Sequence, residues 1–146
     1  MIALLQRVKK ASVKTNGAEI ASIQQGLLVF VAFSPNDSNQ QLNRMAERVL
    51  TYRVFADSKD KMNKSLLDKN FELLVVPQFT LAADTRSGTR PSFSNAAQSE
   101  ISEKLFLKFT DILKSKSPNI KSGKFKANMQ VSLINDGPVT FWLEVN

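Results

Sequence analysis

Seven apolar residues in unbroken succession, Leu27–Phe33, constrain this chain more than any other segment. Bounded by Gly26 and the polar stretch Ser34–Ser38 with Pro35, the run has the length of a strand buried on both faces. Such a strand needs neighbours in a sheet and cover above and below it. The neighbours are legible. Residues 2–8 alternate loosely. Ala11–Thr15 and Ala18–Ile23 flank Asn16-Gly17, and this dipeptide supplies the positive φ angles of a tight hairpin turn. Val54–Ala56, Phe71–Val76, Met129–Ile134 and Val139–Val145 read as further strands, the last two separated by Asn-Asp-Gly-Pro. Two helices provide the cover. From about Asn39 to Arg53, with Asp37 or Ser38 as cap, Leu42, Met45, Ala46, Val49 and Leu50 form one apolar stripe. From Asn95 to Ser115, Ile101, Leu105, Phe109, Ile112 and Leu113 form another. Asp57–Asn70 reads as an irregular excursion anchored by Met62, Leu66 and Leu67, and Leu81–Ser94 as a surface loop. Roughly seven or eight strands against two main helices predict an α/β fold. Its core is a mixed, largely antiparallel, barrel-like sheet with both helices packed on one side, rather than a doubly wound parallel sheet.

The chain has 146 residues, which fits one domain spanning 1–146. Ten Phe against one Tyr and one Trp indicate a dry core. There is no Cys and no His. A chain so composed has no disulfide, no thiolate nucleophile, no imidazole base and no His/Cys metal cage. The 13 Asp and Glu are scattered, so no metal is expected. Zero Cys suits a cytoplasmic protein. No apolar run approaches a membrane span, and MIALLQRVKK carries its charge after its apolar stretch, the reverse of a secretory signal. The net charge of +7 fits either a solvated surface or a polyanionic partner such as RNA. Lys104, Lys108, Lys114, Lys116, Lys121, Lys124 and Lys126 concentrate it in the second half.

Two segments put polar, backbone-rich turns at strand ends, where a rigid sheet can aim a site. In Pro77-Gln78-Phe79-Thr80-Leu81, Pro77 has no N–H and ends the ladder. The amides of Gln78, Phe79 and Thr80 are then free to hold an oxyanion. The plainer account is a strand-to-loop turn with Phe79 buried. Thr80 is a nucleophile only if Lys or a carboxylate such as Asp84 activates it, and a structural role competes. In Asn135-Asp136-Gly137-Pro138-Val139-Thr140, the Gly-Pro pair permits a cis bond and close approach to a ligand. A simple hairpin turn also accounts for it. Arg86, Gly88, Arg90 and Pro91 lie in a loop that either grips phosphate or is merely solvated. Phe125 and Met129, among Lys124, Lys126 and Asn128, could stack a nucleotide or belong to the core.

The combined pattern resembles the bacterial D-aminoacyl-tRNA deacylases. The resemblance begins at MIALLQRVKKASV and runs through Gly26-Leu27-Leu28-Val29, Arg48–Arg53 and Lys61-Met62-Asn63. It continues in Gln78–Asp84, Gly88–Phe93, Met129–Leu133 and Asn135–Trp142, in order and across nearly the whole chain. One position departs: the family's Ser-Gln-Phe-Thr reads Pro77-Gln78-Phe79-Thr80 here, as in some members, so residue 77 has no side-chain hydroxyl to offer. The resemblance implies hydrolysis of the ester joining a D-amino acid to tRNA, with no metal or organic cofactor. It implies a homodimer in which a Gly137–Pro138 cis dipeptide, held by Arg7, enters the partner's pocket near Gln78, Phe79 and Thr80. The aminoacyl group is expected among these residues, with Phe125 and Met129 also binding substrate. Such a site would exclude L-aminoacyl groups and also accept glycyl-tRNA. Two rivals remain at this stage: a non-catalytic RNA-binding module and a general esterase of small molecules.

Overall fold

The computed structural model describes residues Met1–Asn146. Strand β1 (Ile2–Thr15) organises the molecule. It pairs antiparallel with β2 (Ala18–Ile23) through its second half and with β3 (Gly26–Ala32) through its first half. Along its other edge runs β8 (Gln130–Glu144). β6 (Glu72–Pro77) lies parallel to β3, and β7 (Ile120–Ser122) lies parallel to β6. The six-stranded sheet is therefore mixed, in the order β2-β1-β3-β6-β7, with β8 beside β1. Parallel neighbours need crossovers. The first contains α1 (Asn39–Thr51), a small hairpin of β4 (Phe55–Ala56) and β5 (Met62–Lys64), and the single-turn α2 (Leu66–Lys69). The second contains α3 (Ser99–Lys116).

The expectation for Leu27–Phe33 holds. Leu27, Val29, Val31 and Phe33 face the larger core under α1 and α3, while Leu28 enters a second, smaller core on the other face. β6 divides likewise, with Leu73 and Val75 in one core and Leu74 and Val76 in the other. β1 serves both cores by changing phase. Ala3 and Leu5 belong to the large core, whereas Val8, Ala11 and Val13 belong to the small one. The phase changes where the pairing with β8 shifts register, between Gln6 and Lys10. Irregular pairing bends a strand and re-aims its side chains, and here it curls the β1–β2 hairpin over the second core. At its turn Asn16 and Gly17 both have positive φ, 50° and 78°.

In α1 every residue of the expected stripe is buried, and Ser38 is the cap, in a capping box with Gln41. α3 departs from expectation. It starts at Ser99, and its buried face is Ser102, Phe106, Phe109, Thr110 and Leu113. Ile101 is exposed, and Leu105 and Ile112 only flank the core. The face turns because Ser102 can enter it: its hydroxyl donates to the Ala97 carbonyl at 3.0 Å, so burial costs it no partner. In the excursion only Leu66 is an anchor, while Met62 and Leu67 are exposed. The largest correction concerns residues 129–145. The two strands expected there are the single strand β8, and Asn-Asp-Gly-Pro is a bulge within it rather than a hairpin turn. β1 is long enough to pair on both sides of the interruption. No helix is long and apolar enough to cross a membrane.

Candidate active site

β6 delivers the first constellation. Pro77 is its last paired residue, opposite Val31, and the Gln78 amide donates to the Val31 carbonyl at 2.7 Å. The Gln78 amide is thus used by the sheet and is not available to a ligand, contrary to expectation. The chain then enters a 3-10 turn, Phe79–Ala82, with no side-chain cap. The first N–H groups of such a turn have no partner within it, and those of Phe79 and Thr80 make no hydrogen bond in the chain. Phe79 is not buried as the plain-turn account required: it is 56% exposed, with its ring 5.1 Å from that of Phe93.

This strand end opens into a cleft of about 490 Å³. Val76, Pro77, Gln78 and Phe79 form one wall; Phe125, Lys126 and Asn128 with Met129 form another. Ala97, Ser99 and Ser102, at the start of α3, close the end. Phe125 and Met129 also pack against the two cores, so the core and ligand readings of these residues are compatible. Gly123 lets Met129 in. A Cβ at Gly123 would stand 2.9 Å from the Met129 sulfur, and the Lys124 amide meets that sulfur at 3.4 Å. Lys126 is held by Glu103 at 3.2 Å.

Thr80 stands next to this wall without lining it. Its hydroxyl is exposed and lies 2.6 Å from Gln78 Nε2, which donates to it. Asp84 is no base for it. The Arg86 side chain and backbone N–H both donate to the Asp84 carboxylate. These bonds hold its pKa down to about 2. The loop Arg86 is therefore tied to Asp84, while Arg90 is exposed.

Arg7, Gly137 and Pro138 form a second constellation, outside the wall of this cleft. Gln6 pairs with Thr140 and Val8 with Asn135, so residues 136–139 bulge out opposite Arg7 alone. Gly137 and Pro138 are exposed, and the peptide between them is cis. Arg7 braces the bulge by donating to the Asp136 carbonyl at 3.0 Å and to the Val54 carbonyl at 2.6 Å. Asn135 Nδ2 donates to the carbonyls of Arg7 and Val139, each at 3.0 Å, and so clamps both ends. Gly137 has φ +136°, and a Cβ there would lie 2.7 Å from Val139 Cγ2 and 3.1 Å from Arg7 Nη2. The positioning roles of Val54 and Val139 had no sequence signal, because both act through carbonyls. Asn135 was visible only as part of its motif.

Fold and site define a small α/β enzyme with neither imidazole nor thiolate, in which backbone groups are presented at a strand end and at a strand bulge. The family profile described as D-Tyr-tRNA(Tyr) deacylase matches residues 4–144, and the chain belongs to that family. It is 53% identical over 145 residues to a D-aminoacyl-tRNA deacylase of Colwellia psychrerythraea, covering 99% of this chain and 100% of that one. It is 49% identical over 145 residues to the protein of the same name from Escherichia coli O1:K1, with the same coverage. Among solved structures it resembles the c-Myc DNA Unwinding Element Binding Protein, with TM-score 0.96 and 40% identity. That match covers 100% of this chain and 99% of the other.

Proposed function

We propose that this protein hydrolyses the ester of D-aminoacyl-tRNA, and of glycyl-tRNA, in the cytoplasm, as a homodimer of single-domain subunits with cross-subunit sites. The observation that carries this reading is the braced bulge at Gly137 and Pro138. It presents backbone outward, on an exposed surface, and takes no part in the walls of the amide-lined cleft of its own chain. In the dimer it enters the partner's cleft, where its carbonyls hold the substrate's α-amino group and crowd the direction an L side chain would take. A D side chain leaves toward solvent, so specificity comes from rejection and tolerates many D residues. Glycine, which has no side chain to reject, is accepted.

In the reaction a water oxygen adds to the ester carbonyl carbon, assisted by the ribose 2′-hydroxyl. The unpartnered amides of Phe79 and Thr80 stabilise the oxyanion. The carbonyl carbon's bond to the ribose oxygen then breaks, that oxygen takes one proton of the attacking water, and the amino acid leaves as its carboxylate while the water's other proton passes to solvent. An aminoacyl ester is already activated, so this site needs no strong base. Gln78 orients Thr80, and Phe125 and Met129 receive the terminal nucleoside. The binding roles of all these residues belong to this proposal.

The test is release of labelled amino acid from D-Tyr-, L-Tyr-, D-Asp- and Gly-tRNA by purified protein in the presence of EDTA. Cleavage of the two D esters and of Gly-tRNA, with the L ester spared, is the expected result. Cleavage of D-Tyr-tRNA alone would overturn the side-chain-out model. Tight tRNA binding without turnover of any ester would indicate an RNA-binding module instead.

A further inference from the structure

Two adjoining grooves lie between α1 and β8, and neither belongs to the site described above. Gln40, Gln41, Arg44, Arg48 and Glu144 wall the first, of about 280 Å³. Arg48, Tyr52, Arg53 and Phe141 wall the second, of about 430 Å³. Arg48 is common to both. The five ion pairs of the protein include none of the three arginines. Glu144, the carboxylate residue in the walls, is thus beyond ion-pair distance of each.

Three features make this more than a solvated helix face. Arg44 and Arg48 are four residues apart on one helix, a like-charge spacing that costs a helix a few tenths of a kcal/mol, and neither has a carboxylate within ion-pair distance to offset it. Arg48 is half-buried and donates to the Glu144 carbonyl at 2.7 Å. Its guanidinium is therefore already oriented, with further N–H groups free to meet an anion bidentately. Tyr52 and Phe141, edge to face at 5.4 Å, add an apolar seat between the cations. Cations alternating with aromatic surface along a groove are the chemistry that follows a nucleic-acid strand.

The second groove also leads to the bulge. Arg53 precedes Val54, whose carbonyl receives Arg7, and Phe141 follows Pro138 by three residues on the same strand. We propose that Arg44, Arg48 and Arg53 hold phosphates of the tRNA strand that ends in the scissile ester. They act from the subunit that donates the bulge while the ester lies in its partner's cleft. This rests on the deacylase reading and assigns its tRNA-binding surface.

The experiment measures two things: binding of deacylated tRNA across a salt series, and kcat and KM on D-Tyr-tRNA. The proteins are the full-length wild type, R44Q/R53Q, R48Q, and K104Q/K108Q on α3 as a comparison. Arg44 and Arg53 are exposed, so their double variant leaves the fold and the Arg48 brace in place. R44Q/R53Q should weaken binding of uncharged tRNA by about tenfold or more and flatten the log–log salt slope by about 2, one for each lost phosphate contact. Its KM should rise with kcat unchanged, and R48Q should act in the same direction. Wild-type affinity and slope in R44Q/R53Q would overturn the proposal, as would equal losses in K104Q/K108Q. A wild type that binds uncharged tRNA through these arginines but cleaves no ester would uphold the groove and refute the deacylase reading. Ester cleavage with no effect of the arginines would do the reverse.

Discussion

Gly137 is the residue at which a single carbon should separate function from folding. Its φ of +136° is one that L side chains rarely adopt, and the added Cβ would press on Val139 and on the Arg7 guanidinium. The residue itself is exposed on a bulge outside both cores, and the strain reaches core packing only through Val139, at the edge of the larger core. Gly137→Ala is expected to lower kcat/KM on D-Tyr-tRNA by about tenfold or more, one or two hydrogen bonds' worth of lost alignment. Its melting temperature should stay within about 4 °C of wild type. A fall in melting temperature that accounted for the lost activity would refute the positioning role. Thr80 carries the complementary expectation. Its neighbour Asp84 has a carboxyl pKa depressed to about 2 by Arg86. With the folded value below the ordinary one, the pair's contribution is present in full above the normal carboxylate range. It is lost only as pH falls through about 2. Between pH 5 and 9 Asp84 is therefore ionised, paired and a poor proton acceptor. Thr80→Ala should accordingly keep most of its activity across that range, whereas a substrate lacking the ribose 2′-hydroxyl should be cut poorly. Loss of turnover in Thr80→Ala with normal cleavage of the 2′-deoxy substrate would instead make Thr80 the nucleophile.

At the scale of elements, the β3–β6 pair is the join that brings the first constellation into place. A Cβ on Gly26 would overlap the carbonyl oxygen of Glu72, its partner in the parallel ladder. Backbone cannot swing away as a flexible side chain can, so Gly26→Ala should destabilise by about 3 kcal/mol or more. A urea midpoint within error of wild type would contradict this. Losing the Ser38 cap of α1 should cost only about 1 kcal/mol, because that bond is local. The same contrast explains what the sequence revealed. The α1 stripe, the Asn-Gly turn and the doubly buried β3 follow from local periods and local φ demands, and all three were legible. β8 was not. Pro138 announces that the ladder is interrupted, but whether the chain turns back or bulges depends on how far its partner extends, and β1 lies more than a hundred residues away. α3 was placed in the right region with Phe109 and Leu113 inward as expected, but its buried face is turned toward Ser102, Phe106 and Thr110, because Ser102 and Thr110 satisfy their hydroxyls on backbone carbonyls and so bury as if apolar. Of the expected site residues, Gln78, Phe79, Phe125 and Met129 do meet in one cleft. No spacing could reveal that meeting, since only the β6–β7 crossover and the start of β8 bring the segments together. Ser99 and Ser102 joined the wall without any signal beyond lying at the start of a helix.

At the scale of the molecule, the amide-walled cleft and the braced bulge do not share a wall, and the proposed site needs both. The sheet offers a means of bringing two copies together. Phe30, Leu4 and Trp142 lie side by side across β3, β1 and β8 on the face turned away from α1 and α3. Trp142 is 51% exposed there, and Ile134, further along β8, is 47% exposed. On the dimeric reading proposed above, this face is where two copies would meet, and a two-fold pairing there would present each bulge to the other copy symmetrically. This arrangement can be tested without a structure of the dimer. A Gly137→Ala chain would lack the bulge geometry but keep its cleft, and a chain altered at Phe79 and Met129 would lack the cleft but keep its bulge. Each alone should be nearly inactive. Denatured together and refolded at equal concentration, they should form mixed dimers carrying one intact site each, restoring about a quarter of wild-type activity. Activity no greater than the average of the two parents would mean that cleft and bulge act within one chain or not at all. Recovery should also vanish when Trp142→Glu is placed in both chains, because the charge would then be buried against an identical charge or the pair would not form.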